Sequence, residues 1–135
     1  MKKILLSLFL VCFSFCYGQT TAIPDPNFEQ ALINYGYDTG TPDGSVPTAN
    51  INTITLLYIG GYNISNLTGI EDFTSLLSLY CGYMNLTDLD LTQNQQLKTL
   101  YCPNNQLNNL TLANNCGFDT LYCPDNYLRF FITYI

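Results

Sequence analysis

The sequence predicts a mainly β fold, a solenoid of 21–22-residue coils that share a parallel sheet and follow a short N-terminal helical cap. Two regularities carry this prediction. Leucine recurs at a constant interval, at Leu79, Leu100 and Leu121, and a cysteine follows each leucine two positions later. A tyrosine separates each leucine from its cysteine, as expected for a strand whose alternate side chains point to opposite faces. A fixed period in the twenties is typical of chains that fold as stacked coils.

The repeated unit identifies the kind of coil. Segments 76–96 and 97–117 align with each other, and a third segment begins the same pattern at Phe118. Within them the order L-x-x-L-x-C-x-x-N-x-L recurs, which is the pattern of a leucine-rich repeat. A weaker copy starts at Ile54. The interval from this copy to the next is one residue longer than the intervals between the later copies. We therefore predict leucine-rich repeats over residues 51–128.

The segment before the repeats, residues 19–50, is predicted to be an N-terminal cap. Asp25 is a favoured helix N-cap and Pro26 a favoured first helical residue, and apolar residues at helical spacing follow them. We expect a helix over residues 26–35 that ends at Gly36. An amphipathic helix here would cover the open end of the first coil.

Two other segments are predicted to be irregular. Residues 38–47 have the Asp, Gly and Pro content of a loop, and we interpret them as a polar turn. A calcium loop is the alternative, but the ligand spacing of an EF-hand is absent. Residues 129–135 abandon the repeat pattern and are predicted to form an irregular C-terminal tail.

Residues 1–18 are predicted to be a secretory signal peptide. Lys2 and Lys3 precede an apolar run that is too short for a stable transmembrane span. A lipoprotein signal is the alternative, although it would require small residues just before Cys12 or Cys16. We therefore expect a mature chain that is secreted or held at the cell surface and does not insert into a membrane.

The composition argues against several classes of function. Ten acidic residues against four basic ones give a formal charge of −6, which disfavours nucleic acid and anionic membranes as partners. The chain contains no histidine, which excludes Ser-His-Asp and Cys-His catalysis and histidine-bearing zinc sites. Its carboxylates are too scattered for paired acid–base work. We predict no enzymatic activity, no metal site and no cofactor.

The inward phase of each repeat is predicted to build the core. The strand leucine, the cysteine after it and a second leucine at the next turn face inward. An asparagine at a fixed phase is expected to bond backbone groups at the corner of the coil. The predicted structural positions are Leu79, Cys81, Leu86, Leu100, Cys102, Leu107, Leu121, Cys123, Asn105 and Asn126. The alternating patterns at 89–91 and 110–112 predict a short second strand on the opposite flank.

The aligned cysteines allow two interpretations. An even number of cysteines in a secreted chain favours disulfides, and adjacent strands about 4.8 Å apart lie within the bridging range. Side chains in register run parallel, however, which disfavours the torsion of a disulfide. We therefore favour buried reduced thiols at Cys81, Cys102 and Cys123, with Cys116 off phase on the far side of the coil. A ladder also spreads its thiolates, which disfavours metal binding.

The outward phase holds the candidate binding residues. These are Tyr58, Tyr80, Tyr101 and Tyr122 on the strands, and Tyr83, Asn104 and Asp125 at the strand ends. In one interpretation the tyrosines only pack across strands, each pair contributing about 0.2–1 kcal/mol. In the other they form a contact surface on which a protein or a sugar ring stacks, because the concave sheet of a repeat protein is its usual binding face.

The chain resembles leucine-rich-repeat proteins secreted by Bacteroidetes bacteria and, more distantly, internalin-like repeats. The residues that carry this resemblance are the repeats themselves and segments 23–38, 43–55 and 63–76. The resemblance implies a solenoid, an extracellular or cell-surface location and non-catalytic binding of a protein or glycan, with no catalytic residues to transfer. Members of this family usually continue through more repeats to a sorting domain. We therefore expect this chain to be the truncated N-terminal part of a longer protein.

The function predicted from the sequence is a non-enzymatic binding module that recognises a protein or glycan through its sheet. The alternative is a structural spacer or matrix element of a longer surface protein, with no ligand of its own. The row of tyrosines favours the first hypothesis, whereas the absence of any ligand in a binding screen would favour the second.

Overall fold

The computed structural model describes residues 18–114, 117–128 and 132–134, which wind into a parallel-sheet solenoid of about three turns. The strands and the helix in chain order are β1 Thr20–Ala22, α1 Pro26–Asn34, β2 Ser45–Pro47, β3 Leu56–Tyr58, β4 Ser78–Tyr80, β5 Asp88–Leu91, β6 Thr99–Tyr101, β7 Asn109–Leu112, β8 Thr120–Tyr122 and β9 Ile132–Tyr134. Single 3-10 turns lie at Thr48–Asn50 and Ile70–Asp72. The predicted signal peptide, apart from Gly18, lies outside the described residues, as do Cys116 and residues 129–131 and 135 of the predicted tail.

Strands β3, β4, β6 and β8 form one parallel sheet, which we call the tyrosine sheet. Its register follows the sequence repeat, because Leu79 pairs with Leu57 on one side and with Leu100 on the other, and Leu100 pairs with Leu121. The step from β3 to β4 is longer than each later step by a single position, as in the sequence. The predicted solenoid with a parallel sheet is confirmed.

Strands β5, β7 and β9 form a second parallel sheet, which we call the flank sheet. Leu89 pairs with Leu110 and Leu91 with Leu112, so the second strand predicted from the alternating pattern is confirmed. The leucines of β5 and β7 are buried, whereas Asp88, Asp90 and Asn109 are exposed. The first coil contributes only β3, to the tyrosine sheet, and each later coil contributes one strand to each sheet. The apolar side chains lie between the two sheets.

Part of the C-terminal tail predicted to be irregular is regular. Residues 132–134 form strand β9, which pairs in parallel with β7 and places Ile132 opposite Leu110. The pairing is long-range, and a strand of three residues is too short to show a periodic pattern in the sequence. The flank sheet therefore extends over the last residues that the structure describes.

The core is a continuous stack of aliphatic side chains between the two sheets. Leu79, Leu100, Cys81 and Cys102 are fully buried, and so are the turn leucines Leu86 and Leu107 at the same phase of consecutive coils. Fully burying one leucine contributes about 1.5–3 kcal/mol, so this repeated phase supplies much of the driving force for folding.

The prediction that Leu121 belongs to the core is wrong in this structure, because Leu121 is 36% exposed. Cys123 and Leu128 are likewise only partly buried and pack against the edge of the core. The reason is their place in the stack. They lie on the last coil that contributes to the tyrosine sheet, and within the described residues no further strand of that sheet packs over them.

Buried asparagines hold the corners of the coils together. The Asn105 amide donates to the Cys81 carbonyl at 2.8 Å, and its side-chain oxygen accepts from Leu86 N at 3.1 Å. Asn126 repeats this pattern one coil later, donating to the Cys102 carbonyl at 3.0 Å and accepting from Leu107 N at 3.0 Å. Each amide therefore joins the backbone of its own coil to that of the coil before it.

A second asparagine position was not recognised from the sequence. Asn94 is buried, and its amide donates to the Ile70 carbonyl at 2.8 Å and to the Phe73 carbonyl at 3.2 Å. It joins the 3-10 turn of one coil to the next coil. The sequence has another asparagine at the same phase of the following repeat, which is the signal that could have revealed this position.

The predicted N-terminal helix is present and ends one residue early, at Asn34 rather than at residue 35. Asp25 is the N-cap, with its Oδ1 accepting from the backbone N–H of Asn27 and Phe28. Its Oδ2 accepts from Ser65 N, Ser65 Oγ and Asn66 N at 2.8, 2.9 and 3.0 Å. One carboxylate therefore starts the helix and also fixes it to the first coil.

The region predicted to be a loop, residues 38–47, is partly regular. Its end forms strand β2, which pairs antiparallel with β1, so that Thr21 lies opposite Val46. The buried carboxylate of Glu29 on α1 accepts from Asp43 N at 2.6 Å and Gly44 N at 2.7 Å and thereby anchors the turn before β2. Strands of three residues joined by such long-range contacts leave little periodic signal in a sequence.

Among the described residues, no helix is long and apolar enough to cross a membrane.

Candidate binding face

The four tyrosines at the outward phase of the tyrosine sheet form one continuous ladder. Successive ring centroids, from Tyr58 through Tyr80 and Tyr101 to Tyr122, lie 5.5, 5.9 and 4.9 Å apart. The first and last pairs are stacked and the middle pair is tilted by 36°. Strand spacing of about 4.8 Å sets these distances, because each ring rises from the same phase of its coil. The repeat thus builds an aromatic strip across the sheet.

The ladder is exposed at its ends and half-buried in its middle. Tyr58 is 59% exposed and Tyr122 is 48% exposed. Tyr80 and Tyr101 are half-buried, less exposed than their outward phase predicts. Each inner ring lies between two neighbouring rings, which cover its faces and leave its edge towards solvent. A ligand therefore meets ring edges and hydroxyls along the middle of the ladder rather than open ring faces.

The other outward side chains of this sheet carry no charge. A second row runs beside the ladder and consists of Leu56, Ser78, Thr99 and Thr120. Desolvation raises the pKa of Tyr101, and the neighbouring phenols of Tyr83, Tyr122 and Tyr58 raise it further. The Tyr101 phenol therefore stays protonated at neutral pH, and the strands present a neutral aromatic surface.

At the ends of these strands the chain turns through a left-handed corner in every coil. Gly61, Tyr83, Asn104 and Asp125 occupy the same phase, and φ is positive at all four, between 52° and 82°. The N–H of each of the first three donates to the carbonyl of the residue before the next corner: Gly61 N to Gly82 O, Tyr83 N to Pro103 O and Asn104 N to Pro124 O. We call these four residues the corner row. Asparagine, aspartate and glycine favour this conformation, whereas a tyrosine in it is uncommon.

A cleft of about 250 Å³ lies between the ladder and the start of the corner row. It is lined by Tyr58, Gly60, Gly61, Tyr80, Gly82, Tyr83 and Tyr101. Side chains are disfavoured at two of these glycines, since a Cβ on Gly82 would lie 2.8 Å from Pro103 Cδ, and one on Gly60 would lie 3.0 Å from the Gly82 carbonyl. In the later coils Pro103 and Pro124 occupy the phase of these glycines. The glycines of the cleft therefore belong to the first two coils, and Tyr101 of the third coil completes its lining.

Additional tyrosines from the N-terminal segment lie beside the ladder. Tyr35, at the end of α1, donates a hydrogen bond from its hydroxyl to the Tyr58 carbonyl and stacks on Tyr37 with ring centroids 6.0 Å apart. Desolvation raises the pKa of Tyr35, as do the nearby phenols of Tyr62, Tyr37 and Tyr58. These residues were not recognised from the sequence, because they lie outside the repeat phase. The concentration of tyrosines within the first coil and its cap is the signal that was available.

The cysteines lie directly beneath this face, and the structure overturns part of the thiol prediction. Cys102 and Cys123 are joined in a disulfide, with Cα atoms 4.7 Å apart, instead of standing as reduced thiols. Adjacent coils bring the two Cα atoms into the bridging range, and the partly buried side chain of Cys123 at the edge of the core reaches its neighbour. Cys81 is free and fully buried, and desolvation raises the pKa of its thiol to about 12.

A larger cleft, of about 430 Å³, borders the flank sheet. Its lining combines the carboxylates Glu71, Asp88 and Asp90 with the apolar residues Leu67, Ile70 and Leu89, which are themselves buried. The carboxylates are well solvated without a partner, whereas exposed aromatic side chains leave apolar surface in contact with water. Within the described ranges, no group of three His, Cys, Asp or Glu side chains could hold a metal ion. The tyrosine sheet is therefore the stronger candidate site.

The fold and the repeated corners define a leucine-rich-repeat solenoid with internalin-like repeats. The chain is 35% identical over 81 residues to Internalin J of Listeria monocytogenes serotype 4b (strain F2365). It also matches a solved structure described as the functional domain of InlJ from Listeria monocytogenes, which includes a cysteine ladder, with a TM-score of 0.72 and 31% sequence identity. No family model matches the chain.

The two similarities differ in extent. The sequence match to Internalin J covers 57% of this chain and 9% of Internalin J. The structural match covers 87% of this chain and 28% of the InlJ chain. The chain thus spans only a small part of each protein. The similarity therefore reports the fold and the repeat type.

Proposed function

We propose that this chain is a non-enzymatic, extracellular binding module whose contact face is the tyrosine sheet with its corner row. The observation that carries the proposal is the ladder of four stacked tyrosines, which crosses a sheet face without charged side chains. Tyrosine supplies a large, rigid contact area with a polar end and is enriched at binding hot spots.

A protein is the partner that this geometry supports best. Leucine-rich-repeat domains of the internalin type typically bind proteins, and repeat proteins use extended sheet surfaces to do so. A glycan, the other partner predicted from the sequence, would stack on open ring faces. The faces of Tyr80 and Tyr101 are covered by their neighbours, so ring stacking is confined to the ends of the ladder. Secretion through residues 1–18 and membership of a longer surface protein remain part of the proposal.

The alternative function is a structural spacer with no ligand of its own. In that case the ladder stabilises the sheet through ring contacts between coils. The exposed Tyr58, Tyr83 and Tyr122 disfavour this alternative, because a purely structural strip gains little from tyrosines that remain about half or more exposed.

The test is a capture experiment with two matched triple variants of the full chain. The protein is screened against an array of purified extracellular proteins and against a glycan array. The first variant replaces Tyr80, Tyr101 and Tyr122 by Ser on the tyrosine sheet. The control replaces the exposed polar residues Asp88, Asp90 and Asn109 by Ser on the flank sheet. Circular dichroism and the melting temperature establish that both variants are folded.

We expect the screen to find a protein ligand, and we expect the wild type and the flank-sheet control to bind it equally. The tyrosine variant should bind this ligand at least about tenfold more weakly, a loss of about 1.4 kcal/mol of binding free energy. Binding that survives the tyrosine changes would contradict the proposal, since the contact face would lie elsewhere. A glycan ligand would change the partner class but keep the face. Absence of any ligand on both arrays would support the spacer.

A further inference from the structure

We infer that the cleft between the ladder and the corner row receives a cationic side chain, arginine in preference to lysine, from the protein partner. The inference rests on the proposed function and names the group that this part of the face would recognise. All of its lining residues are tyrosine or glycine: Tyr58, Tyr80, Tyr83, Tyr101, Gly60, Gly61 and Gly82. We call this site the tyrosine cleft.

The exposed ring of Tyr83 supplies the attraction. The face of a phenol ring carries negative electrostatic potential, and cations placed within about 6 Å of a ring centroid are held by it. Tyr83 is 62% exposed and rises from its corner beside the ladder, so its ring is accessible to a side chain that enters the cleft. A planar guanidinium stacks on an aromatic ring, which favours arginine over lysine.

The glycines and the size of the cleft fit one long side chain. Gly60 and Gly82 have no side chain to fill the space, and a Cβ on Gly82 would lie 2.8 Å from Pro103 Cδ. A volume of about 250 Å³ lies below the range of about 300–1,000 Å³ that is common for sites of drug-sized ligands. A single arginine or lysine side chain fits this volume, whereas an oligosaccharide of several rings would extend beyond the cleft.

The distribution of charge favours a cation. No residue that lines the cleft carries a formal charge, and the whole chain has ten acidic residues against four basic ones. Lys98, the basic residue within the described ranges, donates to the Gly117 carbonyl at 3.3 Å and is not among the lining residues. Asp125 stands in the same corner row as Tyr83, two coils further on. Two strand spacings are roughly 10 Å, which is about one Debye length at 0.1 M salt, so its exposed carboxylate adds only a weak, screened attraction.

The test uses the full chain and two small probes of the same shape. N-acetyl-arginine amide carries the guanidinium, and N-acetyl-citrulline amide replaces it with a neutral urea. Backbone amide NMR shifts of Gly60, Gly61 and Gly82 report binding as each probe is titrated. We expect saturable shifts with the arginine probe and binding of the citrulline probe at least about fivefold weaker, in line with a cation–π contribution of about 1 kcal/mol.

Three variants assign the effect to the tyrosine ring. Tyr83→Leu should weaken the arginine probe at least about fivefold, because it removes the aromatic face and keeps an apolar side chain. Tyr83→Phe should bind within about twofold of the wild type, because the ring face remains. Tyr127→Leu is the matched control, an exposed tyrosine that does not line the cleft, and should leave binding unchanged.

The inference is overturned if both probes bind equally, if neither shifts the three glycines, or if Tyr83→Leu binds the arginine probe as the wild type does. These results are distinguishable from failure of the proposed function. A protein ligand that is lost with the triple tyrosine variant but retained with Tyr83→Leu would keep the tyrosine sheet as the contact face and remove the cationic site.

Discussion

The tyrosine sheet and the flank sheet are built from the same coils over one core, yet they present opposite chemistry to solvent. The tyrosine sheet has a neutral aromatic ladder. The flank sheet exposes Asp88, Asp90 and Asn109. Hydrogen bonds from Asn109 and Thr87 hold the pKa of Asp88 below its usual range, so this carboxylate is ionised at neutral pH.

This difference shows which part of a repeat is free to carry function. Inward positions must match the coil above and below, and the buried Leu79, Leu100, Leu89 and Leu110 are alike on the two sheets. Outward positions meet solvent and have no such constraint. The repeated tyrosine on one outward face, where charged or polar residues would suffice for solubility, therefore supports the proposed contact surface.

The largest effect should come from the shared core, and it should be the same on both sheets. Leu100→Ala beneath the tyrosine sheet and Leu110→Ala beneath the flank sheet should each reduce the free energy of unfolding by about 2–5 kcal/mol, because each leaves a cavity between coils. Urea denaturation measures both. A large loss at one position and none at the other would show that the two sheets do not share one core.

The next largest effect should come from the corner amides that border the tyrosine sheet. Asn105→Ala removes partners from the Cys81 carbonyl and from Leu86 N, and should cost about 1–3 kcal/mol per buried group left unpaired. Asn126→Ala should cost less, because Asn126 is only partly buried and water can replace its amide. Equal losses in thermal unfolding would contradict a cost that depends on burial.

Asp25 tests whether the helix and the first coil act as one unit. Burial alone would raise the pKa of Asp25, but hydrogen bonds from Ser65, Asn27 and Asn66 outweigh it and lower the pKa below the usual value. A group with a lowered folded pKa stabilises the protein above its unfolded pKa of about 3.9, and this contribution is lost as the pH falls through the folded pKa.

Asp25→Ala should therefore lower stability at neutral pH by about 0.5–2 kcal/mol, the usual cost of losing an N-cap, and flatten the fall in stability below about pH 4. The melting temperature, followed from neutral to strongly acidic pH, measures this. Asp119→Asn, at an exposed aspartate, is the matched control. An acid profile unchanged by Asp25→Ala would refute the role assigned to its carboxylate.

The smallest effects on stability should come from the outward positions. Tyr80→Ser removes two ring contacts, each of which contributes about 0.2–1 kcal/mol. Asp88→Ser should lower the melting temperature only slightly, because the hydrogen bonds that it loses with Asn109 and Thr87 are exposed to solvent. If Tyr80→Ser instead unfolds the protein, the ladder is structural and the spacer alternative gains support.

The sequence could predict most of the coil, since the repeat period fixes both sheets, the register and the inward leucines. The position of Leu121 could not be predicted in the same way. Its burial depends on what packs over the last coil rather than on its phase. The pairing of Cys102 with Cys123 likewise depends on how two side chains turn at the edge of the stack, which spacing alone does not specify.

The candidate face was predictable as a row of tyrosines but not as a site. The cleft lies where glycines occupy a repeat position that holds proline in the later coils. This exchange does not reveal a cleft until neighbouring coils are placed against each other. Tyr83 appeared to be only a strand-end residue, yet its left-handed corner places it at the wall of the cleft. Tyr35, at the end of the N-terminal helix, is placed beside the ladder by a long-range hydrogen bond from its hydroxyl to the Tyr58 carbonyl.

The most direct test of the central claim is hydroxyl-radical footprinting of the full chain with and without the ligand identified on the arrays. Oxidation of individual tyrosines, and carbodiimide labelling of the exposed Asp88 and Asp90 on the flank sheet, are measured by mass spectrometry. We expect strong protection of Tyr58, Tyr83 and Tyr122 on ligand binding, with no change at Tyr127, Asp88 or Asp90. Protection of Asp88 and Asp90, with Tyr58, Tyr83 and Tyr122 oxidised as in the free protein, would contradict the assignment of the tyrosine sheet as the contact face.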